Sequence, residues 1–379
     1  MDGSRPVEAI ATARRIVVKL GSSSLTRSDG GLDLNRLDRV AALVASRCNR
    51  GGQVVIVSSG AVAAGMTPLR YARRPRDLAA VQACAAMGQG LLVARWSAAF
   101  QAHHKLVAQI LLTGDDVMRR SHYKNAKASF EKLLSLGVVP IVNENDAVAT
   151  GEIRFGDNDR LAALLAQLVD ADLLVLATDV DGLYDKPPSL EGAKRIKTVR
   201  SASDVAGVRA SGAGKEIGTG GMVTKLHAAT MATSSGIDTL LLAADDLSQG
   251  LAGADVGTWF KGCGKRRPSR ADWIADAARV AGSVKIDEGA ALAVGKKHSS
   301  LLAAGVVGVE GTFPAGSVVE MRYQDSVLGR GVAGFSSVEI EQIKGLTSEK
   351  IAQIGEVARP VVHRDDMSVR ATDVEAAGF

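Results

Sequence analysis

The chain has 379 residues, of which 46% are apolar and 23% are charged, a composition that is ordinary for a soluble globular protein of two or three domains. Its formal net charge of +5 equals the charge of one segment, 261–270 (KGCGKRRPSR), which holds five basic residues and no acidic one. Because the rest of the chain is balanced, its charge does not indicate a general nucleic-acid-binding surface.

Cysteine usage and the N-terminus bear on the cellular compartment. Cys48, Cys84 and Cys263 lie far apart and form no CxxC pair, so the sequence predicts neither a disulfide framework nor a zinc site. The acidic residues Asp2 and Glu8 argue against a signal peptide. No uninterrupted apolar run approaches the roughly 18 residues that span a bilayer. We expect a reducing, cytoplasmic setting without membrane contact.

Short apolar strands alternate with helical segments along most of the chain. Strands are predicted at 15–20, 53–58, 106–112, 138–142, 173–178 and 239–243. Helices are predicted at 35–50, from 61, at 78–102, from 161 and at 226–232. This alternation predicts an α/β fold with a mostly parallel sheet and helices on both of its faces. The nearly continuous apolar strands are typical of sheets that are covered on both faces.

The character of the sequence changes after Trp259. Strand patterns with glycine or proline breaks follow at 306–309, 317–321 and 328–332. We predict a first α/β domain at 1–262, a basic linker with a short helix (272–279) at 263–282, a small β-rich domain at 283–365 and a loose polar tail at 366–379.

The segment 143–159 (NENDAVATGEIRFGDND) is the most informative stretch of the chain. It holds five carboxylates and three asparagines against a single arginine, and it connects a predicted buried strand to a predicted helix. In open α/β sheets ligands bind at such strand ends, and acids crowded together repel one another unless cations or hydrogen-bond donors accompany them. We therefore interpret the segment as part of a functional site rather than as a solvated acidic loop.

Three glycine-rich turns can bring backbone N–H groups close to an anion. They lie at 19–24 (KLGSSS), 58–61 (SSGA) and 218–222 (GTGGM), the last followed by Lys225. A Walker A loop is absent, and the glycines at 212–218 have the wrong spacing for a dinucleotide fingerprint. Lys19 ends a buried strand, where an ammonium needs an anionic partner. Together with the acidic segment, these features predict phosphoryl transfer, in which positioning and charge neutralisation dominate.

In the same order along the chain, these motifs resemble those of the glutamate 5-kinase family. The matching stretches are 19–23 (KLGSS), 57–65 (VSSGAVAAG), 143–146 (NEND), 156–159 (GDND), 178–179 (TD) and 218–225 (GTGGMVTK). The C-terminal region resembles a PUA domain. The resemblance implies the amino-acid-kinase fold, a three-layer αβα sandwich, with a PUA-like domain appended. It also implies phosphorylation of the γ-carboxylate of L-glutamate by ATP and Mg²⁺, the first step of proline synthesis.

The same resemblance implies roles for individual residues. Lys19 and Lys225 would stabilise the transferring phosphoryl group, and Asp159 would hold both lysines. The residues implied to bind glutamate are Ser59, Gly60, Asn143, Asp146, Asp157 and Asn158. The residues implied to bind ATP are Lys19, Gly21, Thr178, Asp179, Thr219, Gly220, Gly221, Met222 and Lys225.

Chemistry constrains these roles further. Asp146 suits the α-ammonium of the substrate, whereas Ser59 and Asn158 can donate to carboxylate oxygens. The acceptor carboxylate, with an ordinary pKa of about 4.3, is already ionised at neutral pH, so no general base is expected. Mg²⁺ keeps most of its ligands as phosphate oxygens and water, so no protein ligand is assigned. Ser58 stands where threonine is common in the family, which is a mild departure.

The resemblance also implies partners, and two alternatives stay open. Proline is the expected feedback inhibitor, a dimer or tetramer of the chain is expected, and a glutamyl phosphate reductase is a further candidate partner. A sister amino-acid kinase, acting on acetylglutamate, aspartate, carbamate or a nucleoside monophosphate, would carry similar turns, but Asp146 favours a free α-amino group. An RNA-binding protein would use the PUA-like domain, but Phe313, Tyr323 and Phe335 are scattered and more typical of a core.

Overall fold

The computed structural model describes residues 5–27, 31–113, 116–117, 120–147, 158–186, 188, 190–201, 204–205, 221–264, 280–296, 299–353 and 359–369. The chain divides into two compact units, Met1–Arg266 and Arg267–Phe379. Each unit has its own sheet.

The first unit is built on one sheet, to which the described residues contribute eight strands in the order β3-β4-β2-β1-β5-β7-β8-β6. Its strands are β1 (Arg15–Leu20), β2 (Gln53–Ser58), β3 (Val107–Leu112), β4 (Val139–Glu144), β5 (Leu173–Thr178), β6 (Thr198–Val199), β7 (Asp238–Ala243) and β8 (Thr258–Phe260). From β3 through β7 every neighbouring pair is parallel, and β8 then pairs antiparallel with β7. This arrangement places the carboxyl ends of β1 to β5 and β7 at one edge of the sheet.

Helices follow most of these strands. In chain order they are α1 (Arg5–Thr12), α2 (Leu34–Asn49), α3 (Ala61–Met66), α4 (Leu78–Gln101), α5 (Arg120–Ser135), α6 (Asn158–Leu168), α7 (Gly221–Ser234) and α8 (Leu247–Leu251). Two of the longer helices, α2 and α4, have an aspartate as N-cap. The side chains of Asp33 and Asp77 accept hydrogen bonds from the backbone N–H groups of Arg36 (3.0 Å) and Ala80 (2.9 Å).

The sheet is covered on both faces. Ile16, Val18 and Leu20 of β1 belong to one hydrophobic cluster together with residues of α2 and α4. Since side chains alternate along a strand, Lys19 points to the opposite face, where α6 contacts β1, β2, β4 and β5. These observations confirm the predicted α/β class, a mostly parallel sheet between helices.

Helix α4 is the longest helix of the described chain. By length and composition alone it could cross a membrane, but one such helix is weak evidence because core helices pass the same test. It packs against α2 and α3 and buries Leu92, Trp96 and Phe100.

The second unit has a smaller sheet of five described strands in the order β10-β9-β11-β12-β13. Its elements are β9 (Val280–Ile286), α9 (Glu288–Gly295), β10 (Val306–Glu310), β11 (Val318–Tyr323), β12 (Ser326–Ala333), α10 (Ser337–Ile343), α11 (Ser348–Gln353) and β13 (Val362–Ser368). Phe313 and Phe335 are each 2% exposed, and Tyr323 packs against the same core. The interpretation of these aromatic residues as core is therefore confirmed for the two phenylalanines.

Several boundaries differ from those predicted. The strand β9 begins at Val280, before the predicted domain start at 283, and β13 continues to Ser368, past the predicted end at 365. Residues 366–368, predicted as tail, thus form part of a strand that pairs with β12. The predicted helix at 272–279 and the tail from 370 lie outside the described residues.

Candidate active site

About half of the predicted site residues lie at or just beyond the carboxyl ends of four adjacent strands. The strands β4, β2, β1 and β5 are neighbours in the sheet, and their carboxyl ends carry Glu144, Ser58, Leu20 and Thr178. The residues that follow them therefore share one edge of the sheet, where ligands bind in open α/β folds. The sequence order of the motifs does not reveal this adjacency; the strand order does.

A buried carboxylate joins the two predicted catalytic lysines. Asp159, 2% exposed, lies in the first turn of α6. Its Oδ1 is 2.6 Å from Nζ of Lys19, and its Oδ2 is 3.4 Å from Nζ of Lys225. The hydroxyl of Thr224 donates to the same Oδ2 at 2.8 Å, and Lys225 also donates to the carbonyl oxygen of Gly221 at 3.0 Å. Side chains from a strand and two helices thus meet at one carboxylate.

The charges of this cluster influence one another. Burial by itself would raise the pKa of Asp159, but the positive charges of Lys19 and Lys225 and the hydrogen bond from Thr224 hold that pKa below its ordinary value. Burial lowers the pKa of Lys19, which Asp159 opposes and Lys225 reinforces. Two ammonium groups share the carboxylate of Asp159 in a place almost closed to water, and the negative charge of Asp179 also acts on Lys19.

A second network joins Ser59, Asn143 and Asn158. The side-chain amide of Asn158 donates to Oγ of Ser59 at 2.8 Å and to Oδ1 of Asn143 at 2.9 Å. Oδ1 of Asn143 also accepts the backbone N–H of Glu144 at 2.9 Å. Among the described residues, Oδ1 of Asn158 is buried and has no hydrogen-bond partner. The open atom of Asn158 is therefore an acceptor, whereas a donor was predicted from the residue type.

The space above Gly21 is surrounded by polar groups. A Cβ atom at Gly21 would lie 3.5 Å from Nζ of Lys19, 3.8 Å from Oγ of Ser23 and 3.7 Å from Oγ of Ser24. The hydroxyl of Ser24 is buried and has no hydrogen-bond partner among the described residues. One ammonium and two hydroxyl groups around a glycine form a pocket suited to an anion.

Asp146 lies just beyond β4 and is half-buried. Burial raises the pKa of its carboxyl, and the positive charge of Arg74 opposes that rise. A carboxylate that is partly removed from water gains more from a cationic partner than an exposed one does.

The residues predicted to bind the nucleotide are described in part. Thr178 ends β5, and its hydroxyl donates to Oδ1 of Asp179 at 2.8 Å. Gly221 and Met222 begin α7, with Lys225 one turn later on the same helix. Asp157, Thr219 and Gly220 lie outside the described residues.

Thr224 and Ser24 were not singled out from the sequence. A signal for Thr224 existed, since it stands directly before Lys225 in the matched motif. Ser24 had only its place in a run of three serines, and such runs are common in turns.

A model of the amino acid kinase family matches residues 14–242, and a PUA domain model matches residues 282–355. A glutamate 5-kinase of Streptomyces coelicolor is 50% identical over 373 residues, which cover 97% of this chain and 99% of that protein. The chain belongs to the glutamate 5-kinase family of amino acid kinases. It is a kinase with an appended PUA domain.

Other glutamate 5-kinases are similar over nearly their whole length. The protein of Thermobifida fusca is 52% identical, with 95% of this chain and 94% of that protein covered. The protein of Nocardia farcinica is 47% identical, with 95% and 98% covered. Among solved structures, a carbamate kinase of Giardia lamblia bound to AMP-PNP has a TM-score of 0.49 and 18% identity, covering 67% of this chain and 100% of that one.

Proposed function

We propose that this kinase transfers the γ-phosphoryl group of ATP to the γ-carboxylate of L-glutamate, giving L-glutamyl 5-phosphate in the first step of proline synthesis. The observation that carries the proposal is the buried contact of Asp159 with both Lys19 and Lys225. Such a cluster suits a reaction in which two anions must approach each other. The names of the similar proteins support the choice of glutamate as acceptor.

The two lysines address the repulsion between the acceptor carboxylate and the triphosphate. Asp159 balances one of the two ammonium charges, so an excess positive charge is available to the transferring group. Charge aimed at the transition state in a site with little water is worth more than the same charge in solution. Lys19 and Lys225 would each contact phosphate oxygens, while Asp159 keeps both side chains in place.

No general base is needed in this mechanism. The γ-carboxylate of glutamate is ionised at neutral pH, because its ordinary pKa is about 4.3. The oxygens of Asp159 are already engaged by Lys19, Lys225 and Thr224, so that carboxylate is a positioning group. Catalysis is then a matter of alignment and charge, as in other phosphoryl transfers.

The polar groups around Ser59 and Asn158 are suited to bind the amino-acid substrate. Ser59 accepts a hydrogen bond from Asn158, which leaves its own proton to donate to a carboxylate oxygen. The open Oδ1 of Asn158 and the carboxylate of Asp146 are acceptors and suit the α-ammonium. Gly60 offers a backbone N–H, and Asn143 holds the amide of Asn158 in place. Asp157 completes the proposed set.

ATP would lie across the ends of β1 and β5 and the start of α7. The proposed contacts are those of Lys19, Gly21, Thr178, Asp179, Thr219, Gly220, Gly221, Met222 and Lys225. In the described part of the chain there is no group of three or more histidines, cysteines and carboxylates that could hold a metal. We propose that Mg²⁺ is bound mainly through phosphate oxygens and water. When bound, Mg²⁺ would neutralise part of the phosphate charge, and Lys19 and Lys225 would neutralise a further part.

We also propose an inhibitor and protein partners for this kinase. Proline shares an α-ammonium and an α-carboxylate with glutamate, so we place its inhibitory site over the acceptor pocket near Asp146. A dimer or tetramer in the cytoplasm is proposed, and a glutamyl phosphate reductase would consume the reactive acyl phosphate.

The direct test traps the acyl phosphate with hydroxylamine in the presence of ATP and Mg²⁺. L-Glutamate, N-acetylglutamate and aspartate are compared as acceptors at equal concentration. Hydroxamate from glutamate alone is expected. A preference for N-acetylglutamate or aspartate would move the protein to a sister activity, and no product from any acceptor would overturn the proposal.

A further inference from the structure

One face of α4 lies against the chain segment that follows β2. The residues on this face are Cys84, Gly88, Leu92 and Trp96, all buried, and their spacing of four places them in one row along the helix. This row of residues lies behind the segment 58–65. That segment includes Ser59 and Gly60 of the proposed acceptor pocket.

Backbone contacts hold α3 against α4. A Cβ atom on Gly88 would lie 1.8 Å from the carbonyl oxygen of Ala61, and a Cβ atom on Gly65 would lie 1.9 Å from the carbonyl oxygen of Cys84. These distances leave no room for a side chain at either glycine. The helix that begins directly after Gly60 therefore cannot move closer to α4.

A hydrogen bond to Ser58 connects Trp96 of α4 to the segment 58–65. The indole Nε1 donates to Oγ of Ser58 at 2.9 Å, and both residues are fully buried, at 0% exposure. The hydroxyl of Ser58 in turn donates to the carbonyl oxygen of Ser59 at 3.1 Å. Because an indole N–H can only donate, Ser58 must accept from Trp96, and its own proton is left for Ser59.

This relay sets the orientation of one peptide unit. In a planar trans peptide the Ser59 carbonyl and the Gly60 N–H point in opposite directions. Holding the carbonyl toward Ser58 therefore also fixes the direction of the Gly60 N–H. Gly60 has φ of +106°, a conformation that glycine adopts without strain. Among the described residues, no backbone acceptor is bonded to this N–H.

We propose that Trp96 and Ser58 are positioning residues that aim the Gly60 N–H and the Ser59 side chain at the acceptor carboxylate. This inference rests on the proposed function, since it assigns a task to residues of that pocket. Neither Trp96 nor Ser58 would touch the substrate. Their effect would pass through the hydrogen bond between them and the peptide that Ser58 holds.

The test compares Ser58→Ala, Trp96→Phe, the double variant and Ser58→Thr in the full chain. Kinetic constants for L-glutamate and ATP are measured with the hydroxamate assay, and Tm is measured for each protein. The matched control is Ser235→Ala, because Ser235 is 3% exposed and accepts the amide of Gln167 at 2.8 Å. Ser235 thus has an equally buried side-chain hydrogen bond, and it lies beyond the end of α7.

We expect Ser58→Ala and Trp96→Phe each to lower kcat/KM for glutamate by about 10-fold, with KM for ATP unchanged. The double variant should lose no more than Ser58→Ala, because both changes break one relay. Ser58→Thr keeps the hydroxyl and should retain the wild-type constants. Ser235→Ala should lower Tm without changing KM for glutamate.

If Ser58→Ala and Trp96→Phe lower only Tm, as the control does, the relay is merely structural and the proposal is wrong. If Trp96→Phe fails to fold, Ser58→Ala still decides the matter, because it deletes only one oxygen atom. A wild-type protein that forms no hydroxamate from glutamate overturns the proposed function and the inference with it. An active wild type with unaffected variants overturns the inference alone.

Discussion

Lys19 and Asp159 form an ion pair at 2.6 Å in which the two residues are only 5% and 2% exposed. Lys19 comes from the first strand of the chain and Asp159 from the first turn of α6. Neither charge could be buried alone, because an isolated ion in a low-dielectric site is strongly unfavourable. The same ion pair therefore contributes both to the stability of this edge of the sheet and to the proposed phosphoryl transfer.

Replacing Asp159 with asparagine should destabilise the protein and reduce its activity. The change removes the carboxylate that two neighbouring ammonium groups share, and removing one partner of a buried pair costs about 3–5 kcal/mol. Because the folded state holds the pKa of Asp159 below its ordinary 3.8, the stabilisation it contributes is present above that pH and is lost as pH falls through the folded value. Chemical unfolding of wild type and Asp159→Asn at several pH values measures this directly. A gap between the two proteins that stayed constant into strong acid would contradict it.

Replacing Lys225 with alanine should mainly lower turnover. If the ammonium acts in the transition state, kcat should fall by roughly 100-fold or more, with a smaller change in KM for ATP. Lys132→Ala is the control, because Lys132 is an exposed lysine on α5. An unchanged kcat with a raised KM for ATP would instead assign Lys225 to ground-state binding.

Replacing Asp146 with asparagine should mainly raise KM for glutamate. The change keeps the shape of the side chain and removes the negative charge proposed to face the α-ammonium, so binding weakens by about 10-fold or more while kcat changes little. Asp38→Asn, at an exposed position of α2, controls for the loss of one charge. A fall in kcat at constant KM would show that Asp146 serves the transferring group instead.

Replacing Gly21 with alanine should weaken ATP binding with little effect on stability. The added methyl group would enter the space faced by Lys19, Ser23 and Ser24, but its contacts of 3.5–3.8 Å are ordinary for a folded protein. Gly90→Ala is the matched control, since a Cβ there meets nothing within 4 Å, and in a helix it should stabilise by about 0.5–1 kcal/mol. Isothermal titration calorimetry measures the ATP affinity of both variants. Equal affinity in Gly21→Ala and Gly90→Ala would show that no phosphate group occupies the space beside Gly21.

The strands of the first unit could be predicted closely from the sequence. The predicted bounds 15–20, 53–58 and 173–178 are those of β1, β2 and β5, because strands buried on both faces consist of short apolar runs that local composition reveals. The helix α5 (Arg120–Ser135) was not predicted, since its sequence is largely polar and, among its side chains whose burial is described, only Phe130 and Leu134 are buried. Its place depends on packing against β4.

The candidate site was predicted as a list of residues, largely through resemblance, and not as a geometry. That Lys19 and Lys225 share Asp159 could be expected from the family, whereas the hydrogen bond from Thr224 to Asp159 was not predicted. The acceptor left open on Asn158 was also unexpected, because the hydrogen bonds that occupy its amide come from partners distant in sequence.

The amino-acid sequence by itself determined the α/β class, the approximate positions of most strands and the motifs that carry the charges. These properties are local, because they follow from runs of apolar residues and from residue types at fixed spacing. Only the tertiary structure decided that Trp96 reaches Ser58 and that Gly88 touches the backbone at Ala61. Those contacts join segments far apart in the chain, and they form only when the strand order and the packing of α4 bring them within a few ångströms.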